Sequence, residues 1–468
     1  MSLRWTLALL VVLLFGCSSS DSGPGDTSVK DDGVADSSAT DLSADTTTVD
    51  TSLDQATPDD AALEVDTEAP YECSGVPTGR TLSAEADETF DLGPYLMQAT
   101  PETIVVMWRT LEPEAGKVSF GPSGENLDLV VEETIPTLVH EVTLESLEPN
   151  TDYDYQVESG GRTSAVHTFH SSMKEDRPFR FAVFGDNQNG PNVLIKVVAQ
   201  ILEFGPYLVL GVGDHVQEGN MAALWKEQLF GPARSLFHQA SFYATMGNHE
   251  SRSQDYFDLY SYPNPSDDPE HEAYYAFTYG SVFFLCLDSM TLLCPLGDVD
   301  TPESEWIKEV LESPEAKNAK WRFAYSHTPA WTESWSPGEC TFSGNKCMQD
   351  WLIPLLAEHG FHGFFSGHTH DYERGYYDGL IHFITGGAGG HLDEWCLDHE
   401  GTTVVYQGHN HLEVDVGCDS VRIQAVNLDG DVVDWVEFGP ETPVNIIDEG
   451  PADNLPELIV NEASPTLD

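Results

Sequence analysis

The sequence is poor in basic residues. Only 20 Lys and Arg stand against 79 Asp and Glu, which gives the 468-residue chain a formal net charge of −59 at pH 7. A surface this acidic repels nucleic-acid backbones and anionic lipid head groups, so binding driven by phosphate neutralisation is strongly disfavoured and no nucleic-acid binding is expected. Any chemistry on phosphate would need bound cations.

Long hydrophobic runs are also missing. The one notable apolar stretch, residues 5–15, is too short to span a bilayer comfortably. Arg4 precedes it, and Leu-Phe-Gly-Cys follows at positions 14–17. Residues 1–17 therefore resemble the signal peptide of bacterial lipoproteins, in which Cys17 would be acylated and become the mature N-terminus. The alternative is an ordinary signal peptide that happens to contain a cysteine.

Large apolar residues are almost absent from residues 18–70. This segment is dominated by Ser, Thr, Asp, Ala and Gly and has a single Lys, and it cannot bury enough surface to offset its chain entropy. We predict a disordered acidic linker that self-repulsion keeps extended. The leader and the linker together predict an exported protein that is lipid-anchored to the cell envelope, at the outer membrane or cell surface, and that contacts the membrane through this anchor only.

The cysteines show no CxxC or Cys/His spacing of the structural zinc type. Seven cysteines remain besides Cys17, and export would place them where disulfides persist. Because seven is odd, at least one should stay free, and Cys286 in an apolar run is the best candidate for a buried thiol. Cys340 and Cys347 flank a short polar loop and are predicted to pair with each other.

Residues 71–173 are strand-like, with β-branched or alternating runs at 104–108, 117–120 and 141–144. The string Leu-Glu-Pro-Asn-Thr-Asp-Tyr-Asp-Tyr-Gln-Val at 147–157 resembles the fibronectin type III signature, in which the hydroxyl of Tyr153 would bond back to upstream backbone. We predict an all-β sandwich. It could be a ligand-binding module, but a spacer packed on the next domain is favoured.

Residues 177–439 alternate between predicted strands and helices, which indicates an α/β class. Buried strands are expected at 179–184, 207–212, 241–246, 282–287, 321–326, 363–366 and 381–385, and helices at 192–204 and after Thr301-Pro302. Further strands at 412–416, 421–427 and 432–438 are expected to close the second sheet. The acidic residues 440–468 are predicted to be a tail without a fold of its own.

Polar motifs stand where these strands end: Gly-Asp-Asn-Gln at 185–188, Gly-Asp-His at 213–215, Gly-Asn-His-Glu at 247–250, Ser-His at 326–327 and Gly-His-Thr-His at 367–370. Each alone could be a helix cap or a turn. Five in succession at strand ends indicate a site that binds hard or borderline metals such as Mn, Fe or Zn.

The motifs resemble those of calcineurin-like metallophosphoesterases, closest to the purple acid phosphatase branch, whose last motif matches the string at 367–374. The resemblance implies a double β-sandwich flanked by helices with a centre of two divalent metal ions. It implies that Asp214 bridges both metals. It further implies that Asp186 and His370, with Gln188 as a further candidate, complete one metal, and that Asn248, His327 and His368 complete the other.

The resemblance also implies metal-assisted hydrolysis of a phosphorylated small molecule. His249 would neutralise developing charge or protonate the leaving oxygen, or would only support Asn248. His215 has no counterpart in the family pattern and receives no role. The expected function is release of phosphate from monoesters, with a phosphodiesterase or nucleotidase of the same fold as the alternative. A catalytically idle surface binding module is the alternative of another class.

Two positions depart from the purple branch. Gln217 stands where that branch carries the tyrosine that gives its colour, and Gln188 stands where other branches carry a His ligand. We therefore predict a colourless or pale protein, unless another tyrosine such as Tyr372 reaches the metal. Four loop residues are candidates to line the substrate mouth: Trp331, Trp335, His391 and Trp395. Trp225 and Phe230 are predicted to be core, and the glycines at 386–390 a turn at the rim of the site.

Overall fold

The computed structural model of the protein describes residues 73–174, 176–263, 272–291, 301–451 and 458–460. The predicted leader at 1–17 and the predicted linker at 18–70 lie outside this part of the chain. Among the described residues, no helix is both long enough and apolar enough to cross a membrane.

The first domain consists of strands in two antiparallel sheets. The strands are β1 (Leu92–Met97), β2 (Ile104–Glu114), β3 (Gly116–Pro122), β4 (Leu129–Glu132), β5 (Thr137–Leu144), β6 (Asp152–Ser159), β7 (Arg162–Thr163) and β8 (His167–His170). One sheet has the order β1-β2-β5, and the other has the order β4-β3-β6-β7 with β8 paired to β6. The three predicted strand segments lie within β2, β3 and β5.

Tyr153 makes the hydrogen bond to upstream backbone that was predicted for this domain. The backbone N–H of Glu148 donates to the hydroxyl of Tyr153 at 2.8 Å, and the Tyr153 ring is buried and stacked on Phe169. The contact joins the turn before β6 to the strand itself. The prediction of a backbone bond to Tyr153 is confirmed.

The second domain contains two larger sheets flanked by short helices. Its strands are β9 (Phe179–Phe184), β10 (Leu208–Gly211), β11 (Ser241–Ala244), β12 (Tyr275–Tyr279), β13 (Val282–Cys286), β14 (Trp321–Tyr325), β15 (Ser334–Trp335), β16 (Gly363–Ser366), β17 (Tyr372–Tyr377), β18 (Leu380–Thr385), β19 (Glu394–Trp395), β20 (Thr402–Tyr406), β21 (Asn410–Val416), β22 (Val421–Asn427), β23 (Val432–Phe438), β24 (Ile446–Pro451) and β25 (Leu458–Val460). Its α-helices are α1 (Pro191–Phe204), α2 (Ala222–Leu224), α3 (Arg234–Phe237), α4 (Gln254–Leu259), α5 (Pro302–Val310), α6 (Pro314–Asn318) and α7 (Ile353–Glu358), with π-helical turns at Trp225–Phe230 and Met348–Leu352. The predicted capping of α5 by Thr301 is present as a capping box.

The first large sheet has the order β11-β10-β9-β21-β22-β23-β24, and the second has the order β12-β13-β14-β16-β18-β17-β20-β25. Parallel pairing joins β9, β10 and β11 in one sheet and β13, β14, β16 and β18 in the other. The two sheets meet through aromatic side chains, and the ring of Phe181 lies 5.3 Å from that of Phe284 and 6.2 Å from that of Phe365. This packing holds the carboxyl ends of both parallel sets at one edge of the sandwich.

Two predictions about the C-terminal part are wrong. The strands β21, β22 and β23 do not close the second sheet but extend the first, because β21 pairs antiparallel with β9. The predicted tail also contributes strands, since β24 pairs with β23 and β25 pairs with β20. Short β-branched groups such as Ile446-Ile447 are sufficient to add an edge strand, and the prediction gave more weight to the surrounding acidic residues and prolines.

A buried ion pair joins the two sheets of the second domain. Arg374 on β17 donates to Asp434 on β23 from Nε at 2.6 Å and from a terminal nitrogen at 3.1 Å. The side chains are 2% and 0% exposed. Arg374 also donates to Glu449 on β24, so the segment predicted as a tail helps to neutralise this guanidinium.

The disulfides differ from the prediction. Cys340 pairs with Cys396, 56 residues along the chain, and not with Cys347. Cys347 is disulfide-bonded as well. Spacing along the chain favoured the local pair, whereas tertiary folding brings the loops after β14 and β18 together. Cys73 is bonded to Cys418, and Cys286 is a buried free thiol as predicted.

Candidate metal centre

The predicted ligand residues all follow parallel strands at the shared edge. Asp186, Asp214 and Asn248 come after β9, β10 and β11 of the first sheet. His327 comes after β14 of the second sheet, and His368 and His370 come after β16. Folding thus brings together side chains that are up to 184 positions apart in the chain.

One group of these side chains converges on the Nε2 atom of His327. This atom lies 3.2 Å from Oδ2 of Asp214, 3.0 Å from Oδ1 of Asn248 and 3.1 Å from Nδ1 of His368. Ligand atoms of Asp214, His327 and His368 all lie within 4.8 Å of one another. The residue predicted to bridge the metals and the three ligands predicted for one of them therefore lie together.

A second group lies beside the first. The Nε2 atom of His370 lies 3.5 Å from Oδ1 of Asp186 and 3.3 Å from the Nε2 atom of Gln188. The amide oxygen of Gln188 is buried without a hydrogen-bond partner, which is costly unless another group satisfies it. A metal ion next to Asp186 and His370 would satisfy it, so the residues present fit the predicted ion.

Backbone conformation at the site is unusual. Asp186, Asp214 and His368 have φ angles of 55°, 50° and 71°, a region that residues other than glycine seldom adopt. Such strain persists only where the surroundings enforce it, and it concentrates at functional sites. Gly390 of the predicted rim turn donates its N–H to the carbonyl of Asp186 at 2.6 Å, and a Cβ on Gly390 would lie 2.7 Å from the His370 ring.

The site has the electrostatics of a cation pocket. Burial opposes ionisation of Asp214, but the facing His327 and His249 hold its pKa below the usual range. Burial alone would lower the pKa of His327, yet the charges of Asp214 and Asp186 raise it to about 10. Burial likewise lowers the pKa of His370, but the hydrogen bond to Asp186 and the charge of Asp186 outweigh it and raise the pKa to about 9. The two buried carboxylates thus strongly favour positive charge beside them.

His249 lies at the edge of the site and is partly exposed. Its Nδ1 atom is 2.8 Å from the backbone carbonyl of Gln217, and its Nε2 atom is 3.8 Å from Oδ2 of Asp214. Because the carbonyl accepts a hydrogen bond from Nδ1–H, Nε2 is the nitrogen that faces the reaction space. Its backbone N–H also donates to Asp214 at 2.8 Å, so His249 helps to orient that carboxylate.

Glu250 has a structural role that the sequence reasoning missed. Its buried carboxylate accepts backbone N–H groups from Asp214 at 2.9 Å, His215 at 2.7 Å and Gly247 at 2.7 Å, with a longer bond from Val216. Burial and the nearby Asp214 raise its pKa to about 7. The one signal in the sequence was the position of Glu250 in the Gly-Asn-His-Glu motif, directly after the candidate ligand Asn248 and His249.

His215, to which no role was given, joins two of the site loops. Its Nδ1 atom lies 2.7 Å from Oδ1 of Asn187, and the Asn187 amide donates back to the His215 carbonyl at 2.9 Å. Burial lowers the pKa of His215 to about 3, so the ring is a neutral hydrogen-bonding group. The pair holds the loops after β9 and β10 together.

The structure separates the candidates for the substrate mouth. Trp335 lies against the site, with its ring 5.3 Å from that of His368. Trp331 instead stacks on Tyr377 at 4.0 Å, and Trp395 donates to Glu333 at 3.0 Å. His391 contributes its backbone carbonyl to Nδ1 of His370. Trp225 and Phe230 are buried in the core, as predicted.

Comparisons with known proteins agree with this arrangement. Residues 94–171 match the purple acid phosphatase N-terminal domain, and residues 179–372 match the calcineurin-like phosphoesterase family. Purple acid phosphatase 15 of Arabidopsis thaliana is 23% identical over 56% of this chain and 55% of its own length. Purple acid phosphatase 23 of the same plant is 24% identical over 56% of this chain and 64% of its own length. The chain thus spans little more than half the length of these relatives.

A solved structure shares the fold. The purple acid phosphatase PPD1 from yellow lupin (Lupinus luteus) seeds superposes with a TM-score of 0.63 at 16% identity, over 76% of this chain and 74% of its own. The second domain has the fold of the calcineurin-like phosphoesterases, and the candidate metal site lies within the residues that match this family. The chain combines a domain of the purple acid phosphatase N-terminal type with a domain of the calcineurin-like phosphoesterase type, and proteins of this family use a dinuclear metal centre. The predicted fold class is confirmed.

Proposed function

We propose that the protein is an extracytoplasmic phosphoesterase that releases phosphate from monoesters of small molecules. The observation that carries this proposal is the convergence of Asp214, Asn248, His327 and His368 within hydrogen-bond distance, with the unpartnered Gln188 oxygen beside them. Carboxylate, imidazole and amide donors suit borderline divalent metals and offer no thiolate. Together with the family matches, this set supports a working hydrolytic site over an idle binding module.

Two divalent ions at this site would attract the phosphate group and stabilise the charge that develops on its oxygens. The chain's own residues do the rest. Asp214 and Asp186 supply two negative charges in a buried setting, which leaves a net positive pocket once both ions are present. His249, held through Nδ1 by the Gln217 carbonyl, presents Nε2 for proton donation to the leaving oxygen. Glu250 keeps Asp214 in place through its backbone N–H.

The same reasoning supports a pair of divalent ions without a purple colour. The Gln217 amide lies 3.1 Å from Nδ1 of His249 and accepts from Asn189, and an amide gives no phenolate charge transfer. Tyr372 donates its hydroxyl to Asp434 at 2.6 Å, and burial raises its pKa well above the usual range. Gln217 therefore cannot supply a tyrosinate ligand, and Tyr372 is held in its protonated form by Asp434.

We also propose that the protein is anchored to the cell envelope through an acylated Cys17. The support is the apolar leader ending in a cysteine and the acidic linker after it. Replacing Cys17 with Ser should move the protein from the detergent phase to the aqueous phase or leave the precursor uncleaved. Unchanged partitioning and processing would contradict the anchor.

The enzymatic proposal is tested by metal analysis of purified protein together with hydrolysis of a generic monoester and a generic diester. We expect about two metal ions per chain and preferential turnover of the monoester. Preferential turnover of the diester would contradict the monoester assignment and identify a phosphodiesterase. Two bound metals with turnover of neither would indicate the idle module.

A further inference from the structure

Two loops beside the metal site are fastened into one unit. The short strands β15 and β19 pair so that Ser334 faces Trp395 and Trp335 faces Glu394. The disulfide between Cys340 and Cys396 joins the same two loops a few residues further on. A ribbon closed at one end by a covalent bond has little freedom to change shape. Side chains on this ribbon are therefore presented in a defined position.

A buried carboxylate sets the start of this ribbon. Glu373, on β17, accepts the hydroxyl of Thr332 at 2.7 Å and the backbone N–H groups of Glu333 and Ser334 at 2.9 and 3.1 Å. Glu333 in turn accepts from Trp395 at 3.0 Å and from the backbone of His399 at 2.6 Å. These bonds determine the direction in which Trp335 leaves the backbone.

Trp335 and a second aromatic residue of the same loop, Phe342, form a wall next to the site. Their ring centroids are 4.8 Å apart. The Trp335 ring lies 5.3 Å from the His368 ring, and the Phe342 ring lies 5.0 Å from it at 83°. Both side chains are partly exposed. A buried core pair would have no exposed ring surface, whereas this aromatic wall keeps ring surface open beside a residue of the metal site.

We propose that the aromatic wall of Trp335 and Phe342 binds the leaving group, and that the substrates are phosphate monoesters of aromatic or similarly planar alcohols. The inference rests on the proposed phosphoesterase function and names its substrate class. Planar rings gain stacking and edge-to-face contacts with Trp and Phe beyond the area that they bury. The wall carries no charge. It therefore favours an uncharged aromatic leaving group over a leaving group that is charged or strongly hydrated, such as a sugar or a polyol.

The test compares benzyl phosphate with ethyl phosphate in the metal-loaded, full-length protein, with phosphate release as the common assay. The variant is Trp335→Leu. We expect the KM for benzyl phosphate to rise about fivefold with kcat unchanged, and both constants for ethyl phosphate to stay the same, because the ring contact is made in the ground state and the transition state alike. Trp351→Leu is the control, because it removes a half-buried ring that lies beside Lys308 and not beside the metal site. It should leave the ratio of kcat/KM between benzyl phosphate and ethyl phosphate unaltered.

Two outcomes would overturn the inference. If Trp335→Leu lowers the metal content and lowers kcat equally for both esters, the tryptophan only positions His368. If the ratio of kcat/KM for benzyl phosphate to kcat/KM for ethyl phosphate is the same in wild type and in the variant at full metal content, the wall does not contact the leaving group.

A binding measurement separates this inference from the proposed function. Benzylphosphonate and ethylphosphonate, which are not hydrolysed, are titrated into wild type and Trp335→Leu by calorimetry. A protein that turns over neither ester contradicts the phosphoesterase function. The wall is still supported if benzylphosphonate loses about fivefold in affinity in the variant while ethylphosphonate does not, and it is refuted if the two change alike.

Discussion

Glu250 offers the sharpest test of how the metal site is built, because all of its hydrogen bonds go to backbone. Oε2 accepts from Asp214 and Gly247, and Oε1 accepts from His215, with a longer bond from Val216. Glu250→Gln keeps the shape of the side chain but replaces one oxygen with an N–H group. If the remaining oxygen serves Asp214 and Gly247, the new amide group faces the two other N–H donors.

The cost follows from this count. Two buried N–H groups lose their acceptor, and each unsatisfied group costs about 1–3 kcal/mol. We therefore expect the free energy of unfolding of the metal-free protein to fall by about 3 kcal/mol. The Asp214 loop should shift with it, and metal affinity should fall about 10- to 100-fold, which is typical when a group that orients a ligand is lost.

The assay is urea denaturation of the chelated protein, followed by metal titration of the folded protein. Glu218→Gln is the matched control, since it makes the same chemical change at an exposed side chain in the loop after β10, which also carries Asp214. A change within about 0.5 kcal/mol is expected there. If Glu250→Gln and Glu218→Gln have the same stability and the same metal affinity, the buried carboxylate does not hold the site together.

Three further predictions concern the site and the core. Asp214→Asn should remove most hydrolysis and one metal equivalent while the far-ultraviolet circular dichroism stays native; a variant with both metals and near-native turnover would contradict the bridge. The fully loaded protein should show no strong visible band, because Gln217 replaces the chromophoric tyrosine; intense absorption with stoichiometric iron would refute this. Arg374→Met should cost about 3–5 kcal/mol in unfolding free energy by leaving Asp434 buried and unpaired, and a loss below about 1 kcal/mol would show that the pair is not needed.

Much of the site could be predicted from the sequence because the relevant signals are local. A buried apolar strand such as β9 is recognisable from six residues, and the polar residue that ends it, Asp186, stands at a predictable edge. Parallel pairing places Asp214 at the edge of the first sheet and His327 at the edge of the second, and the resemblance to the metallophosphoesterases supplied the expectation that the two edges share one site. The polar motifs at the strand ends were predicted from local residue patterns, whereas the assignment of each ligand to a metal came from the family resemblance.

The features that were missed depend on contacts between distant segments. Cys340 pairs with Cys396 and not with Cys347 because β15 and β19 bring their loops together, and no spacing rule contains this. The charge of the C-terminal residues concealed two short edge strands, of which β24 also carries Glu449 to Arg374. The role of Glu250 was missed because its partners are backbone N–H groups, which the residue pattern does not show, so only its place after His249 pointed to it.

The disulfide between Cys73 and Cys418 determines where tension would enter the molecule. Cys418 lies in the turn after β21, at the end of the first sheet where Val416 pairs with Phe179, and Asp186 lies beyond the other end of β9. At about 3.3 Å per residue, roughly 20 Å of strand separates the two. A load applied at Cys73 would therefore enter the second domain through a covalent bond, at the end of the β9–β21 pair that lies away from the metal site.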